Sequence, residues 1–145
     1  MTEVTFHFNV PDKLGYACRL LRKAAGTGAK VVVTGDPAQL STLDTELWSF
    51  SSVDFIPHCQ AAGADPEMLA LSRVVLAESA RGMPHQDVLV NLGDGVPEGF
   101  ERFARLIELV ATGDADRLQG RARWKHYRDR GYALQKHDLA DREAR

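Results

Sequence analysis

The residues best suited to chemistry in this 145-residue sequence lie in one basic stretch. Residues 117–130 hold six Lys or Arg side chains against a single acid, Asp129. On a helix with about 100° per residue, one third of the circumference would carry four cations and an indole: Arg117, Arg121, Trp124, Lys125 and Arg128. Core packing explains such a stripe poorly, because cations four residues apart repel one another.

Two interpretations of this stripe are open. It is either a solvated helix whose cations favour its C-terminal turn, or an anion site for a carboxylate-rich peptide or for phosphates. The net charge of the chain is −2, from 18 Lys plus Arg and 20 Asp plus Glu. A whole-surface electrostatic contact with nucleic acid needs a strongly basic domain, so the anion interpretation favours a peptide over DNA.

A second group of candidate residues is apolar. The segment Leu47-Trp48-Ser49-Phe50 is followed closely by Phe55-Ile56-Pro57-His58. Large apolar side chains next to a proline-ended strand usually belong to the core, and pattern alone favours that interpretation. The same residues also suit an exposed patch that contacts a protein partner.

Other chemistry has less support. The turn at residues 35–40, GDPAQL, is similar to phosphate-sensing turns of helicases, but an N-cap Asp followed by Pro explains it fully. The Gly93-Asp94-Gly95 turn stands far from the first strand, where a dinucleotide fingerprint belongs. The sequence contains no phosphate loop, no GxSxG and no zinc-ligand spacing. We therefore predict no catalytic residue, no cofactor and no metal.

Length and composition restrict the class of protein. The chain is the size of one domain, and its 44% hydrophobic and 26% charged residues are ordinary for a globular protein. No apolar run approaches the length of a membrane span, and the first residues do not resemble a secretory signal. Cys18 and Cys59 lie far apart and outside any CxxC pattern, which fits a reducing compartment. We expect one cytoplasmic domain over residues 1–145, with no membrane contact.

The order of predicted elements is typical of an α/β layer fold. Alternating or continuously apolar segments predict strands at residues 5–10, 30–34, 73–77 and 87–92. Helical spacing predicts helices after Asp12, after Asp36 and from 114 to about 131. The first strand, helix and second strand suggest a right-handed parallel crossover. Residues 50–56 are assigned as an extended segment and residues 59–70 as a loop. Residues 103–110 are assigned as either strand or helix, and the tail from about residue 136 is expected to fray.

Five segments together resemble the chi subunit of bacterial DNA polymerase III: TFHF, LDTELWSF, FIPH, DVLVNL and RARWKHYRDRGYAL. The last segment is the most specific. The family's pattern there is basic-x-basic-aromatic-Lys-x-Tyr-Arg-x-x-Gly-aromatic, which residues 121–132 match. Trp124 stands where the family commonly has Tyr. The resemblance runs over nearly the whole chain and keeps the order of its elements.

The resemblance implies a single Rossmann-like α/β domain, with a mostly parallel sheet flanked by helices and no nucleotide site. It also implies a non-catalytic accessory subunit of the DNA polymerase III holoenzyme, located in the clamp-loader assembly and in contact with DNA only indirectly. Members of this family bind the acidic, Phe-terminated tail of single-stranded DNA-binding protein. They also bind the psi subunit and, in some bacteria, a helicase.

Carried onto this sequence, the resemblance assigns the tail site to Arg121, Trp124 and Lys125, together with Val110, Arg117 and Arg128. It assigns the surface for psi or a helicase to Trp48, Phe55, Pro57 and His58. An acidic tail that ends in Phe needs cations and an apolar socket, so the resemblance favours the anion interpretation of the basic stripe. The resulting hypothesis is a replisome adaptor. The alternatives are a direct DNA-binding accessory protein and a nucleotide-dependent enzyme on a Rossmann-like fold.

Overall fold

The structure is a computed structural model that describes residues 1–49 and 57–140. Within these ranges the elements are β1 (Glu3–Val10), α1 (Lys13–Gly26), β2 (Val31–Thr34), α2 (Pro37–Ser49), β3 (His58–Gln60), α3 (Pro66–Leu71), β4 (Val74–Ala77), β5 (Val88–Asn91), a 3₁₀ turn (Phe100–Arg102), β6 (Arg105–Ala111), α4 (Asp114–Asp129) and β7 (Leu134–Asp138). The extended segment predicted at residues 50–56 lies outside the described residues. No helix in the described ranges is long and apolar enough to cross a membrane.

The strands of the described chain join one sheet in the order β3-β4-β2-β5-β6-β1-β7. Each pair of neighbouring strands is parallel, which confirms the predicted α/β architecture. The strands β2, β4 and β5 are four-residue segments buried along their whole length, as expected where helices cover both faces of a parallel sheet. The first two strands of the chain, β1 and β2, have β5 and β6 between them.

Helices on the two faces of the sheet enclose two hydrophobic clusters. On one face, α1 and α2 pack Leu21, Leu40 and Leu43 against the central strands. On the other face, α4 contributes Tyr127 and Trp124 to a cluster with the β1 side chains. The helix that carries the basic stripe therefore lies on the second face, close to the β1–β7 edge.

Side-chain caps define the starts of α1 and α2 as the sequence predicts. Asp12 caps α1, because its carboxylate accepts a hydrogen bond from the Gly15 N–H at 3.1 Å. At α2, the Asp36 carboxylate accepts from the Gln39 N–H at 2.8 Å, and Gln39 Oε1 accepts from the Asp36 N–H at 3.0 Å. This reciprocal capping box accounts for the GDPAQL turn and confirms its interpretation as a helix start.

The prediction of a loop at residues 59–70 is wrong, because this segment contains most of β3 and α3. β3 pairs with β4, with His58 opposite Val74. Asp65 caps α3 by accepting a hydrogen bond from the Met68 N–H at 2.7 Å. The many alanines and glycines concealed both short elements, although Asp65-Pro66 repeats the start signal of α2.

The prediction that the chain frays from residue 136 is wrong for residues 136–138, which form part of β7. This strand extends the sheet beyond β1, with Phe6 opposite Lys136 and Phe8 opposite Asp138. Charged side chains suit an edge strand, since they disfavour pairing with another chain. Composition alone does not distinguish such a strand from a frayed tail. The segment at 103–110, left open between strand and helix, contains most of strand β6.

Candidate functional site

Helix α4 carries the basic stripe and is fixed to the sheet at its start and along its middle. At its start, the Asp116 carboxylate accepts a hydrogen bond from the Ala111 N–H at 2.6 Å and pairs with Lys13 Nζ at 3.1 Å. Farther along, a Cβ at Gly120 would come within 2.8 Å of a Val110 methyl carbon. Glycine at this position therefore lets helix and strand approach closely. Val110 is fully buried beneath α4 and is not part of the surface.

The inner side of α4 holds a buried polar network that the sequence pattern does not reveal. The fully buried carboxylate of Glu108 in β6 accepts hydrogen bonds from Arg123 Nε at 3.1 Å and from the Tyr127 hydroxyl at 2.6 Å. Asn91 Nδ2 donates to the same carboxylate at 2.8 Å. Arg123 Nη1 also donates to the Asp94 carbonyl at 2.7 Å. Buried charges persist only when they are paired and hydrogen-bonded, so this network fixes which side of α4 faces the sheet.

The ionisation of this network agrees with a structural role. Burial raises the pKa of Glu108, and the charge of Arg123 is the main opposing influence. Burial and the neighbouring carboxylate raise the pKa of Tyr127, so its hydroxyl stays protonated and remains a donor. The one sequence signal for this network is a single acid in the otherwise apolar strand segment LIELV.

The outer side of α4 borders a groove of about 510 Å³, whose other side is formed by β1 and β7. Five cationic side chains line this α4–β7 groove: Arg117, Arg121, Lys125 and Arg128 from α4, and Lys136 from β7. The remaining lining residues are two aromatic side chains and one polar pair: Phe8, Trp124, Asn9 and Asp138. All five residues of the predicted stripe line this one cavity. The contributions of β1 and β7 were missed, because they depend on the pairing of strands distant in sequence.

The α4 cations of the groove have few anionic partners within the chain. Arg117, Arg121 and Lys125 form no ion pair with any residue that the structure describes. Arg128 Nη2 lies 3.5 Å from Asp129 Oδ1, and both side chains are at least half exposed. Like charges one turn apart destabilise a helix. An anionic ligand would replace this repulsion with charge-assisted hydrogen bonds.

Trp124 adds an apolar surface among these cations. The centroid of its ring lies 5.1 Å from that of Phe6 and 6.0 Å from that of Phe8. The side chain is half-buried and lines the groove. Aromatic contacts of this geometry fix the orientation of a ring, so the groove contains a preformed apolar wall next to its positive charge.

The second predicted group of residues is divided between surface and interior. Trp48, at the end of α2, is 57% exposed, and Pro57 is exposed as well. His58 is buried, with its ring centroid 4.7 Å from that of Trp48 and its Nε2 3.3 Å from Asp44 Oδ1. His58 therefore supports the indole and offers little surface of its own. Phe55 lies outside the described residues.

Helix α3 adds two exposed apolar side chains next to this group. Met68 is 50% exposed and Leu71 is 73% exposed. Both line a cavity of about 400 Å³ together with Pro57 and His58. Neither residue was predicted to be part of the surface, because their segment was assigned to a loop. Exposed apolar side chains that adjoin one another are typical of protein contact surfaces.

A further cavity, the switch-point crevice, lies at the carboxyl ends of β2 and β5 and has a volume of about 300 Å³. Open parallel sheets usually bind ligands at such a point, where successive connections leave in opposite directions. Four acidic residues line the crevice here: Asp36, Glu78, Asp94 and Glu98. Asn91 Oδ1 accepts a hydrogen bond from the Gly93 N–H at 3.0 Å, so the GDG segment forms a braced turn. These acids would repel the phosphates of a nucleotide.

The described residues contain no group of three or more His, Cys, Asp or Glu side chains arranged to hold a metal ion. Cys18 and Cys59 are both buried and unpaired with each other. Burial raises the pKa of the Cys18 thiol to about 12, so this sulfur is a poor nucleophile at neutral pH.

Fold and site together define a parallel α/β protein with a cationic groove beside an edge strand. The sequence model of the family described as "DNA polymerase III chi subunit, HolC" matches residues 1–135, so the chain belongs to this family. The match ends within β7, one residue before Lys136. The chain is 38% identical to the DNA polymerase III subunit chi of Pseudomonas aeruginosa over 145 aligned residues, covering 96% of this chain and 98% of that relative. It is also similar to the chi subunits of Haemophilus influenzae, 29% identical with 81% of each chain covered, and Escherichia coli, 25% identical with 81% and 79% covered.

Proposed function

We propose that this chain is a cytoplasmic replisome adaptor, which links the clamp-loader assembly of DNA polymerase III to single-stranded DNA-binding protein. It would do so by binding the acidic C-terminal tail of that protein. The observation that carries the proposal is the α4–β7 groove, in which five cations surround a rigid indole. Membership of the chi subunit family supports it. In this role the chain contributes binding surfaces and no catalytic group.

An acidic tail that ends in Phe presents two kinds of chemistry to the groove. Its Asp side chains and terminal carboxylate accept charge-assisted hydrogen bonds, which contribute roughly 1.5–3 kcal/mol each. Arg121 and Lys125 lie one helical turn apart, so both reach one acidic segment. The phenyl ring of the last residue packs against Trp124. Removal of the terminal Phe should therefore weaken binding more than removal of one Asp, because the ring contact and the carboxylate position are lost together.

A fluorescence titration with a labelled acidic peptide ending in Pro-Phe tests this proposal, with the same peptide lacking Phe as its control. We expect saturable binding of the first peptide and affinity about tenfold or more lower for the second. The affinity should also fall as salt is added, since part of the attraction is screened. Equal binding of the two peptides would reject the proposed socket.

We propose that the exposed residues around Trp48 form a separate surface for a psi subunit or a helicase. The exposure of Trp48, Met68 and Leu71 supports this role, and it extends the surface assigned from sequence to α3. His58 would act by supporting Trp48, while Pro57 and Phe55 complete the sequence-assigned set. Phe55→Ala and Trp48→Ala should weaken the partner complex and leave tail-peptide binding intact. Loss of both activities together with unfolding would instead identify Phe55 as a core residue.

The two alternative functions predict different results in simple assays. A direct DNA-binding protein would bind an oligonucleotide without single-stranded DNA-binding protein, with an affinity that falls steeply as salt rises. A nucleotide-dependent enzyme would bind ATP or NAD in calorimetry and turn over at about 1 per second or faster. We expect no direct DNA binding, because the cationic groove is one part of the surface of a chain with net negative charge. We expect no nucleotide binding, because acidic residues line the switch-point crevice.

A further inference from the structure

Strand β7 places one cation across the groove from α4. In the pairing of β7 with β1, Lys136 lies opposite Phe6. Side chains directly opposite each other in neighbouring strands share one face of the sheet. Lys136 therefore shares the face of Phe6, whose ring contacts Trp124 of α4 at 5.1 Å between centroids. Lys136 is exposed and lines the groove.

We propose that Lys136 is a further peptide-binding residue, which contacts an acid of the tail that the cations of α4 do not reach. This inference rests on the proposed function. An extended peptide points successive side chains to opposite sides, so neighbouring acids of a bound tail face different sides of the groove. Arg121 and Lys125 project from one helix and serve one side. Lys136 serves the other side.

A carboxylate, Asp138, lies farther along β7 in the same groove. Asn9 Nδ2 donates a hydrogen bond to Asp138 Oδ1 at 2.8 Å, and the Ala140 N–H donates to the same oxygen at 3.0 Å. Asn9 adopts a left-handed φ of 58° at an irregularity in the β1–β6 register, a conformation that asparagine tolerates better than most residues. These bonds fix the position of the Asp138 side chain at this end of the groove.

The inference predicts different effects for two substitutions of Lys136, measured by titrating the full chain with the labelled peptide ending in Pro-Phe. Lys136→Ala should weaken binding about tenfold or more, since one charged contact is lost. Lys136→Arg should retain most of the affinity.

Two matched controls separate a contact made by Lys136 from a general effect. Gln135→Ala alters the preceding residue of β7, whose side chain points to the opposite face. Lys23→Ala removes an exposed cation in the last turn of α1, outside the groove. Both controls should leave the affinity unchanged. A loss in Gln135→Ala equal to that in Lys136→Ala would mean that a weakened strand explains the effect, which would overturn the inference.

Peptides with single Asp→Asn replacements identify the acid that Lys136 contacts. With the peptide that lacks this acid, Lys136→Ala should bind as tightly as wild type does, because the contact is already lost. A different peptide should give equal affinities for Lys125→Ala and wild type. If Lys136→Ala binds every peptide as wild type does while Lys125→Ala binds more weakly, the inference is wrong and the proposed function stands. If the wild-type chain does not bind the acidic peptide, both are wrong.

Discussion

At the carboxyl ends of β2 and β5, four acidic residues line a crevice, whereas between α4 and β7 five cations line a groove. The crevice occupies the usual ligand position of an open parallel sheet, yet the N-terminus of α2 next to it is occupied by the capping box of Asp36 and Gln39. The groove lies at the edge of the sheet, and its cations on α4 are largely unpaired within the described chain. In this molecule the fold's customary site disfavours anions, and the edge of the sheet favours them.

One buried network lies between these two regions. Asn91 and the Asp94 carbonyl border the crevice, and both contact side chains that belong to the network of Glu108 and Arg123. Arg123 belongs to α4, so the same network orients the helix that lines the groove. Asn91 and the Asp94 carbonyl therefore help to orient the helix that lines the groove, whereas the residues that line the groove are the ones that we propose contact the ligand.

The largest expected effect comes from breaking this shared network. Arg123→Met removes the cation but leaves Glu108 buried, so the free energy of unfolding should fall by about 3 kcal/mol or more in urea denaturation. Because burial raises the folded-state pKa of Glu108, and Arg123 no longer opposes the shift, the folded variant binds a proton more readily than the unfolded chain does. The stability of Arg123→Met should therefore fall as pH rises through the folded-state pKa. A deficit relative to wild type that does not change with pH would contradict this account.

The double variant Glu108→Gln with Arg123→Met sharpens the same test. It removes both buried charges, so it should recover a substantial part of the stability lost in Arg123→Met. If the double variant is as unstable as the sum of the two single variants, the two side chains do not act as a pair.

The two tryptophans allow a matched test of ligand contact in the groove. Trp124→Ala should weaken tail-peptide binding about tenfold or more, because the apolar wall for the terminal Phe is lost. Trp48→Ala removes the other, more exposed indole and should leave the titration unchanged. Similar losses in both variants would show that the peptide does not bind specifically to the groove.

A smaller effect is expected when the crevice side is altered at its capping box. Asp36→Ala removes the acceptor for the Gln39 N–H, so the free energy of unfolding should fall by about 1 kcal/mol in thermal or urea denaturation. Peptide affinity should stay at the wild-type value, since the cap does not face the groove. A variant that folds as stably as wild type would show that the box contributes little to α2.

The sequence predicted those parts of the molecule that depend on neighbours along the chain. The caps at Asp12 and Asp36 and the one-sided stripe of α4 could be found because helical spacing and capping are local. Lys136 could not be assigned to the groove, because its position depends on the pairing of β7 with β1 across most of the chain length. The partners of Glu108 were hidden for the same reason, since Asn91 and Arg123 come from different elements. Short elements such as β3 and α3 were missed because their composition is that of a loop.

The central claim is that the α4–β7 groove, and not the switch-point crevice, binds the acidic tail. The most direct measurement is a fluorescence titration of the labelled peptide ending in Pro-Phe with wild type, Lys125→Ala and Glu98→Gln. Both substitutions remove one exposed charge, the first from the groove and the second from the crevice. We predict that Lys125→Ala binds the peptide about tenfold more weakly, because it loses a charged contact worth about 1.4 kcal/mol or more. Its Tm should not change, since an exposed cation contributes little to stability. Glu98→Gln should bind the peptide as wild type does. Equal affinity of Lys125→Ala and wild type, or a collapse of the Tm in Lys125→Ala, would contradict the account.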